Sequence, residues 1–203
     1  MQKHLITNPQ KYQYLIILDF EANCVADHVI YPQEIIEFPC VVYDIQKNLI
    51  DRSLDFSYFC KAEVPITEFC TNLTSITQED VDGGLTLPEL LILHKQWMVD
   101  KKLIGNSLFV TCGDWDLYTA LPNHCKYLNI DYFKYFKEWA NIKLLYSQFY
   151  QRKSYGMKSM LDKLNLKLEG AHHRGIDDCY NIAQIAQKMV VDGCKFTVTN
   201  RIK

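Results

Sequence analysis

Four acidic side chains and one histidine in this chain have the residue types and local settings of a site for metal-assisted hydrolysis. They are Asp19, Glu21, Asp116, Asp178 and His173. Each acid lies at the end of an apolar run or near the start of a helical pattern. Carboxylate oxygens bind hard divalent cations such as Mg²⁺, and a histidine can accept a proton near neutral pH. This combination suits cleavage of a phosphodiester bond with two metal ions.

The first two acids follow an apolar run in the order Asp19-Phe20-Glu21. Residues two apart in a strand point to the same face, so both carboxylates should project together while Phe20 turns into the core. Carboxylates that close repel each other unless one is protonated or a cation lies between them. Polar residues also end many ordinary strands, so this pair alone leaves a metal site and a plain strand end both open.

The other three candidates each have a neighbour that competes for the same role. The competing pairs are Asp114 and Asp116, His172 and His173, and Asp177 and Asp178. Acids are favoured in the first turn of any helix by the helix dipole, whether or not they bind a metal. Spacing does not choose within these pairs.

The roles follow from the chemistry of a two-metal site. One ion between Asp19, Asp116 and Asp178 would activate a water, with Glu21 completing that site. A second ion, shared mainly through Asp19, would stabilise the leaving 3′ oxygen. A histidine in the loop at residues 170–175 would take the proton of the attacking water.

Elements that could hold these side chains are visible in the hydrophobic pattern. Strands are predicted at residues 14–19, 35–45, 53–60 and 108–112, with a last edge strand at 195–198. Helices are predicted at residues 67–72, 77–81, 87–100, 157–164 and 177–191, and an irregularly helical segment at 132–150. Asp114 is expected to cap a helix whose first turn contains Asp116. The order predicts an α/β fold of the ribonuclease-H-like class, with a mixed sheet of about five strands flanked by helices.

Composition favours one domain inside the cell. The chain has 203 residues with 48% apolar content, which suits a single domain at residues 13–200 behind an N-terminal tail at 1–12. The tail lacks the apolar centre of a signal peptide, and no apolar run is long enough to span a membrane. The eight cysteines form no C-x-x-C pair, so buried free thiols are predicted, with zinc ligation as the weaker alternative.

The net charge of −2 does not exclude a nucleic-acid substrate. Setting aside the four candidate ligand acids leaves 22 basic residues against 24 − 4 = 20 acidic residues, a balance of +2. Tight, non-specific tracking along a duplex needs many phosphate contacts and is disfavoured. No Gly-x-Gly-x-x-Gly or phosphate-binding loop follows the first strand, which argues against nicotinamide and nucleotide-triphosphate enzymes.

Several segments together resemble a known family. They are Asp19-Phe20-Glu21-Ala22-Asn23-Cys24, Pro32-Gln33-Glu34-Ile35-Ile36-Glu37-Phe38-Pro39, Leu73-Thr74-Ser75-Ile76-Thr77, Val110-Thr111-Cys112-Gly113-Asp114-Trp115-Asp116-Leu117, and His173-Arg174-Gly175-Ile176-Asp177-Asp178 with Asn181-Ile182-Ala183. From about Tyr12 to the C-terminus the chain resembles the DEDDh branch of the DnaQ-like 3′→5′ exonucleases, in particular the Eri-type exoribonuclease group.

The resemblance implies a choice within each ambiguous pair: Asp116, His173 and Asp178. It also implies two Mg²⁺ or Mn²⁺ ions held by the four acids, single-stranded RNA 3′ ends as the substrate (with DNA possible), and release of nucleoside 5′-monophosphates. Substrate contacts are expected at Ala22, Thr74, Ile76, Trp115 and His173. A monomer is expected, and protein partners are left open.

Departures from the family pattern affect substrate contacts and remove no ligand. They are Asn23 in place of Thr, Ser75 in place of Gly, and Ala171-His172 in place of Arg-Pro. Arg174 is a candidate to replace the missing arginine at a phosphate. Two alternatives remain open: a catalytically silent adaptor that binds RNA or protein, and an enzyme that cuts RNA internally.

Overall fold

The computed structural model describes residues 9–202. Residues 1–8 of the predicted N-terminal tail therefore lie outside the described part of the chain. The rest of that tail lies against the domain, because the Gln10 side chain donates to the Cys194 carbonyl at 2.7 Å and accepts from the Phe196 N–H at 3.0 Å.

The described strands form one mixed sheet. They are β1 (Tyr14–Leu18), β2 (Glu21–Ala22), β3 (Ile35–Asp44), β4 (Leu49–Ile50), β5 (Phe56–Phe59), β6 (Ser107–Thr111), β7 (Glu138–Asn141) and β8 (Asn200–Arg201). Their order is β2-β3-β1-β6-β7-β8, with β4 and β5 also paired to β3. The strands β1, β6 and β7 are parallel, whereas β3 and β8 run antiparallel to their neighbours. Five strands have four or more residues, in agreement with the predicted number.

Helices pack on both faces of this sheet. They are α1 (Glu68–Thr74), α2 (Gln78–Asp82), α3 (Leu87–Asp100), α4 (Leu121–Tyr127), α5 (Ile142–Tyr150), α6 (Met157–Lys163) and α7 (Gly175–Val191). A π-helical segment, Trp115–Ala120, leads into α4. The predicted helix at residues 87–100 is found with those bounds, and Thr77 with Asp80 forms the predicted capping box of α2.

The continuous apolar run of β1 is explained by burial on both faces. Leu15 and Ile17 pack with α5, α6 and α7, whereas Ile16 and Leu18 pack with α3 and α4. Because successive residues of a strand alternate between faces, a strand covered on both sides needs apolar residues at every position. The end of β1 therefore has a fixed position between two packed layers.

Three local predictions are wrong. The segment at residues 132–150 contains β7 before α5, and Trp139 of that strand is fully buried. The predicted edge strand at 195–198 is instead the two-residue strand β8, paired antiparallel to β7. The side chain of Asp114 makes no capping bond; it accepts from Trp139 Nε1 at 3.0 Å and Asn141 Nδ2 at 3.1 Å.

Two composition-based predictions are tested. All eight cysteines are free, six of them buried, and the acid and histidine clusters suited to a metal contain no cysteine among the described residues. Free thiols are thus confirmed for all eight cysteines and burial for six of them. Within residues 9–202, no helix combines the length and apolar character needed to cross a membrane.

Candidate active site

Asp19 and Glu21 lie at a break in the pairing of β3. β1 pairs with β3 up to Leu18, opposite Cys40, and β2 resumes the pairing at Glu21, opposite Glu37. The break faces Pro39, which has no N–H to offer a partner. Phe20 turns inward as predicted, and its ring meets that of Phe38 edge-on at 4.8 Å.

Asp116 is joined to this break by a hydrogen bond. It lies in the π-helical segment after β6 and is buried, with 4% of its surface exposed. Its Oδ1 accepts from the Phe20 N–H at 2.8 Å, a donor that has no strand partner at the break. π-Helical turns are rare and occur often at functional sites. The segment brings Asp116 to the end of β1 from 96 residues away.

Asp178 enters from the first turn of α7. Its Oδ2 accepts from the His173 N–H at 2.9 Å, which closes the loop before the helix over the carboxylate. The helix begins at Gly175, where an added Cβ would lie 2.8 Å from the Asp19 carbonyl oxygen. Only glycine permits this approach, so the helix start touches the backbone of the first catalytic candidate.

Three of the four acids converge directly. One oxygen from each of Asp19, Glu21 and Asp178 lies within 4.8 Å of the others. Asp116 is not in this group, although it is near enough to raise the pKa of Asp19. The structure therefore brings together three candidate ligands and places the fourth beside them, bonded to Phe20.

The pKa values of these acids are raised, chiefly by burial and, for Asp19 and Glu21, also by the charges of neighbouring acids. Burial raises the pKa of Asp19 well above its usual value, and the charges of Asp116, Glu21 and Asp178 raise it further. Burial, then Glu37 and Asp178, raises the pKa of Glu21 to about 9. Burial also raises the pKa of Asp116 to about 7. A cluster of oxygen donors whose mutual repulsion would be relieved by a cation fits Mg²⁺ or Mn²⁺.

Both histidines of the loop lie at the acid cluster. His172 Nδ1 is 3.1 Å from Asp178 Oδ2, and the His172 and His173 rings stack with centroids 3.8 Å apart. His173 has a left-handed backbone (φ 68°) and contacts Asp178 through its own N–H. Burial and the neighbouring His172 lower the pKa of His173, which favours the neutral form that a general base needs. Sequence reasoning set His172 aside, but the structure places it directly on a candidate ligand.

The expected substrate residues fall into two groups. Trp115 has 36% of its surface exposed, so its ring is open to a ligand. Ala22, Thr74 and Ile76 are buried. The Thr74 hydroxyl is used inside the fold, donating to the Cys70 carbonyl at 2.9 Å and accepting from the Ile76 N–H at 3.1 Å. The structure thus does not favour direct side-chain contact of Thr74 and Ile76 with RNA, because they pack beneath the surface.

Arg174 is engaged within the protein. Its Nε lies 3.4 Å from Glu37 Oε1, and its guanidinium lies 4.7 Å from the centre of the Phe59 ring. This contact does not favour the predicted role of Arg174 at a phosphate. Glu37 was missed as a site residue; the signal in the sequence was a charged residue between the apolar residues Ile36 and Phe38, and the structure buries it beside the acid cluster.

Comparison with known proteins gives the family of this chain. A family model described as exonuclease, RNase_T, matches residues 16–186. The chain belongs to this exonuclease family. The expected family and the α/β fold with a mixed sheet are both confirmed.

Individual relatives are exoribonucleases by name. ERI1 exoribonuclease 3 of Homo sapiens is 39% identical over 199 residues, covering 95% of this chain and 58% of the relative. The 3′-5′ exoribonuclease 1 of Rattus norvegicus is 34% identical, covering 94% of this chain and 57% of the relative. The chain therefore spans somewhat less than three fifths of the length of these curated relatives.

Solved structures share the fold over most of this chain. The nuclease domain of 3′hExo, a DEDDh family member bound to rAMP, has a TM-score of 0.89 at 33% identity, covering 94% of this chain and 98% of that one. Cell-death related nuclease 4 has a TM-score of 0.88 at 28% identity, covering 94% of this chain and 68% of that one.

Proposed function

We propose that this chain is a metal-dependent 3′→5′ exonuclease that shortens single-stranded RNA and releases nucleoside 5′-monophosphates. The observation that carries the proposal is the convergence of Asp19, Glu21 and Asp178 within 4.8 Å, with Asp116 beside them. Relatives named exoribonucleases and a similar nuclease domain bound to rAMP support an RNA substrate cut at its 3′ end.

Each acid has a separable task in this proposal. Asp19, Glu21 and Asp178 would hold divalent ions, and Asp116 would complete the site while its bond to Phe20 keeps the end of β1 in place. Two Mg²⁺ or Mn²⁺ ions, when bound, would acidify a water and stabilise negative charge on the leaving 3′ oxygen.

The loop histidines would handle the proton. His173 would accept it from the attacking water, since its lowered pKa keeps the ring neutral near pH 7. His172 would hold the neighbouring ring in a fixed orientation through the stack and its contact with Asp178. The acceptor would then pass its proton to solvent at the open side of the loop.

A single assay separates the proposed activity from its alternatives. A 5′-labelled single-stranded RNA incubated with Mg²⁺ or Mn²⁺ should give a ladder shortened from the 3′ end, and EDTA should stop it. A circular RNA of the same sequence should stay intact, because it has no 3′ end. Cleavage of the circle would indicate an internal cutter. Binding of the linear RNA with no shortening under either metal would indicate an adaptor.

Trp115 precedes Asp116 in the chain and is partly exposed, so its ring should stack on the terminal base. Loss of one base–aromatic stack costs about 1–3 kcal/mol. Trp115→Ala should therefore raise KM for RNA by about 5-fold to 150-fold, with a smaller effect on kcat. Steady-state kinetics on a short oligonucleotide check this. The matched control is Tyr118→Ala, which removes another exposed aromatic ring from the same segment. An unchanged KM in Trp115→Ala would remove the proposed stack.

A further inference from the structure

Two buried glutamates, Glu34 and Glu37, accept hydrogen bonds from different parts of the chain. The Glu34 carboxylate accepts from the Glu63 N–H at 2.8 Å and from the Val64 N–H at 2.9 Å, and so secures a loop. The Glu37 carboxylate accepts from the Gly175 N–H at 3.0 Å, at the first residue of α7. Each is 1% exposed. The two acids are thus equally buried and bind different parts of the chain.

Glu37 contacts the start of α7 in two ways. Besides the bond from Gly175, its Oε1 lies 3.4 Å from Nε of Arg174, the residue that precedes the helix. Arg174 is held from its other side by the Phe59 ring at 4.7 Å. The hydrogen bond from the helix-terminal N–H of Gly175 to the Glu37 carboxylate is charge-assisted and directional, and the Arg174 guanidinium adds an ion pair to the same carboxylate. They fix both the position and the direction of the first turn.

That turn carries the candidate ligand Asp178. The Asp178 N–H donates to the Arg174 carbonyl at 2.9 Å, so the anchored residue and the ligand belong to the same helical turn. The turn has little freedom to move, since Gly175 already packs against the Asp19 carbonyl and Glu37. A shift of the turn would move Asp178 away from Asp19 and Glu21.

We propose that Glu37 and Arg174 are positioning residues for the metal site, and that they set the affinity for the first divalent ion by holding Asp178 against Asp19 and Glu21. This rests on the proposed metal-dependent function. Neither residue is in the converging acid group, so neither acts as a ligand in the proposal.

The decisive measurement is Mn²⁺ binding to the RNA-free protein, followed by electron paramagnetic resonance. Glu37→Ala removes both contacts to the helix and should raise the Mn²⁺ Kd by about 10-fold or more, as is typical for partners that orient metal ligands. Glu34→Ala is the matched control. It removes a carboxylate of the same burial that accepts two backbone bonds, and it should leave the Kd near that of the wild type while lowering the melting temperature.

Arg174→Gln distinguishes the role of Arg174 in holding the start of α7 from the effect of its positive charge on a bound cation. Removing a positive charge near a cation site should tighten Mn²⁺ binding if only electrostatics matter. If Arg174 holds the helix start, its loss should weaken binding in the same direction as Glu37→Ala. Arg174 keeps 25% of its side chain exposed, so this variant should fold even where Glu37→Ala does not.

The outcomes are distinct. Weaker Mn²⁺ binding in Arg174→Gln, with Glu34→Ala unchanged, supports the proposal. Tighter or unchanged binding in Arg174→Gln overturns it, as does a Glu37→Ala protein that melts early but binds Mn²⁺ within about twofold of the wild type. If Asp19→Asn instead binds Mn²⁺ as tightly as the wild type does, the proposed metal site itself is wrong.

Discussion

The acid cluster and the surroundings of His94 both hold ionisable side chains away from bulk water, with Asp19 and Glu21 partly exposed and Asp116, Asp178 and His94 buried, yet the two regions differ in the partners that those side chains have. His94 is fully buried among aromatic rings, where it stacks on Phe38 at 5.1 Å. Its Nδ1 lies 3.1 Å from the Tyr135 hydroxyl and its Nε2 lies 3.7 Å from Cys40 Sγ. Burial lowers its pKa to about 3, so the ring is neutral and both nitrogens have partners.

At the end of β1 the ionisable side chains have a different kind of neighbour. Asp19 and Glu21 face other carboxylates, and their pKa values rise partly because of that repulsion. Burial alone therefore does not distinguish a working site from a core. The distinction is whether the protein supplies complementary partners, as it does for His94, or gathers like charges that call for a ligand.

The largest expected effect comes from removing one charge of the acid cluster. Asp19→Asn should abolish RNA shortening, because the shared ligand is lost. The metal-free variant should be more stable than the wild type at pH 7. The folded protein raises the pKa of Asp19, so ionising this acid above its unfolded pKa disfavours folding, and the amide removes that cost.

The RNA-shortening assay measures the loss of activity, and thermal unfolding with and without Mn²⁺ measures the stability of each protein and its binding of the ion. The wild type should gain melting temperature with added Mn²⁺, and Asp19→Asn should gain little. Asp162→Asn, an exposed acid on α6, is the control and should behave like the wild type. Substantial exonuclease activity in Asp19→Asn would show that the Asp19 carboxylate is not an essential metal ligand.

A smaller loss is expected at the loop histidines. His173→Ala should lower kcat by about 10²-fold to 10⁴-fold, the usual contribution of a general base, while Mn²⁺ binding stays close to that of the wild type. His172→Ala is the matched variant, because the two rings stack and both contact Asp178. If His172→Ala costs more turnover than His173→Ala, the proton acceptor is His172.

Elements with a clear hydrophobic pattern, either a continuous apolar run or a helical period, were predictable from sequence. The run at β1, the amphipathic α3 and the long α7 each appear where their patterns place them. The strand β7 was missed because it has four residues beside an aromatic-rich segment whose spacing suggests a helix. Its burial comes from neighbours distant in sequence, which no local pattern reports.

The site was predictable to a similar depth. The acids lie at element ends that sequence identifies, and the family resemblance selected among adjacent residues. The role of Glu37 depends on a bond to Gly175, 138 residues away, and only the fold shows that the two meet. His172 was set aside for the same reason, since its contact with Asp178 depends on how the loop turns at His173.

The smallest expected effect concerns His94, the buried histidine whose two ring nitrogens both have partners. His94 is neutral when folded and takes up a proton below pH 6.5 when unfolded, so the unfolded state gains as pH falls from 6.5 toward 3. By pH 5 the wild type should lose about 2 kcal/mol of stability through this group. His94→Leu removes that loss, although it leaves the Tyr135 hydroxyl without its partner and costs about 1–3 kcal/mol at pH 7.

Urea unfolding of both proteins at pH 7 and pH 5 measures the difference in pH dependence. The acid cluster titrates in both proteins and cancels in the comparison, so the remaining difference belongs to His94. Turnover per folded molecule at pH 7 should be unchanged, because His94 lies in the aromatic core and not among the acids. Equal pH dependence in the two proteins would mean that His94 takes up its proton at the same pH in the folded and unfolded states, so that burial does not keep the ring neutral.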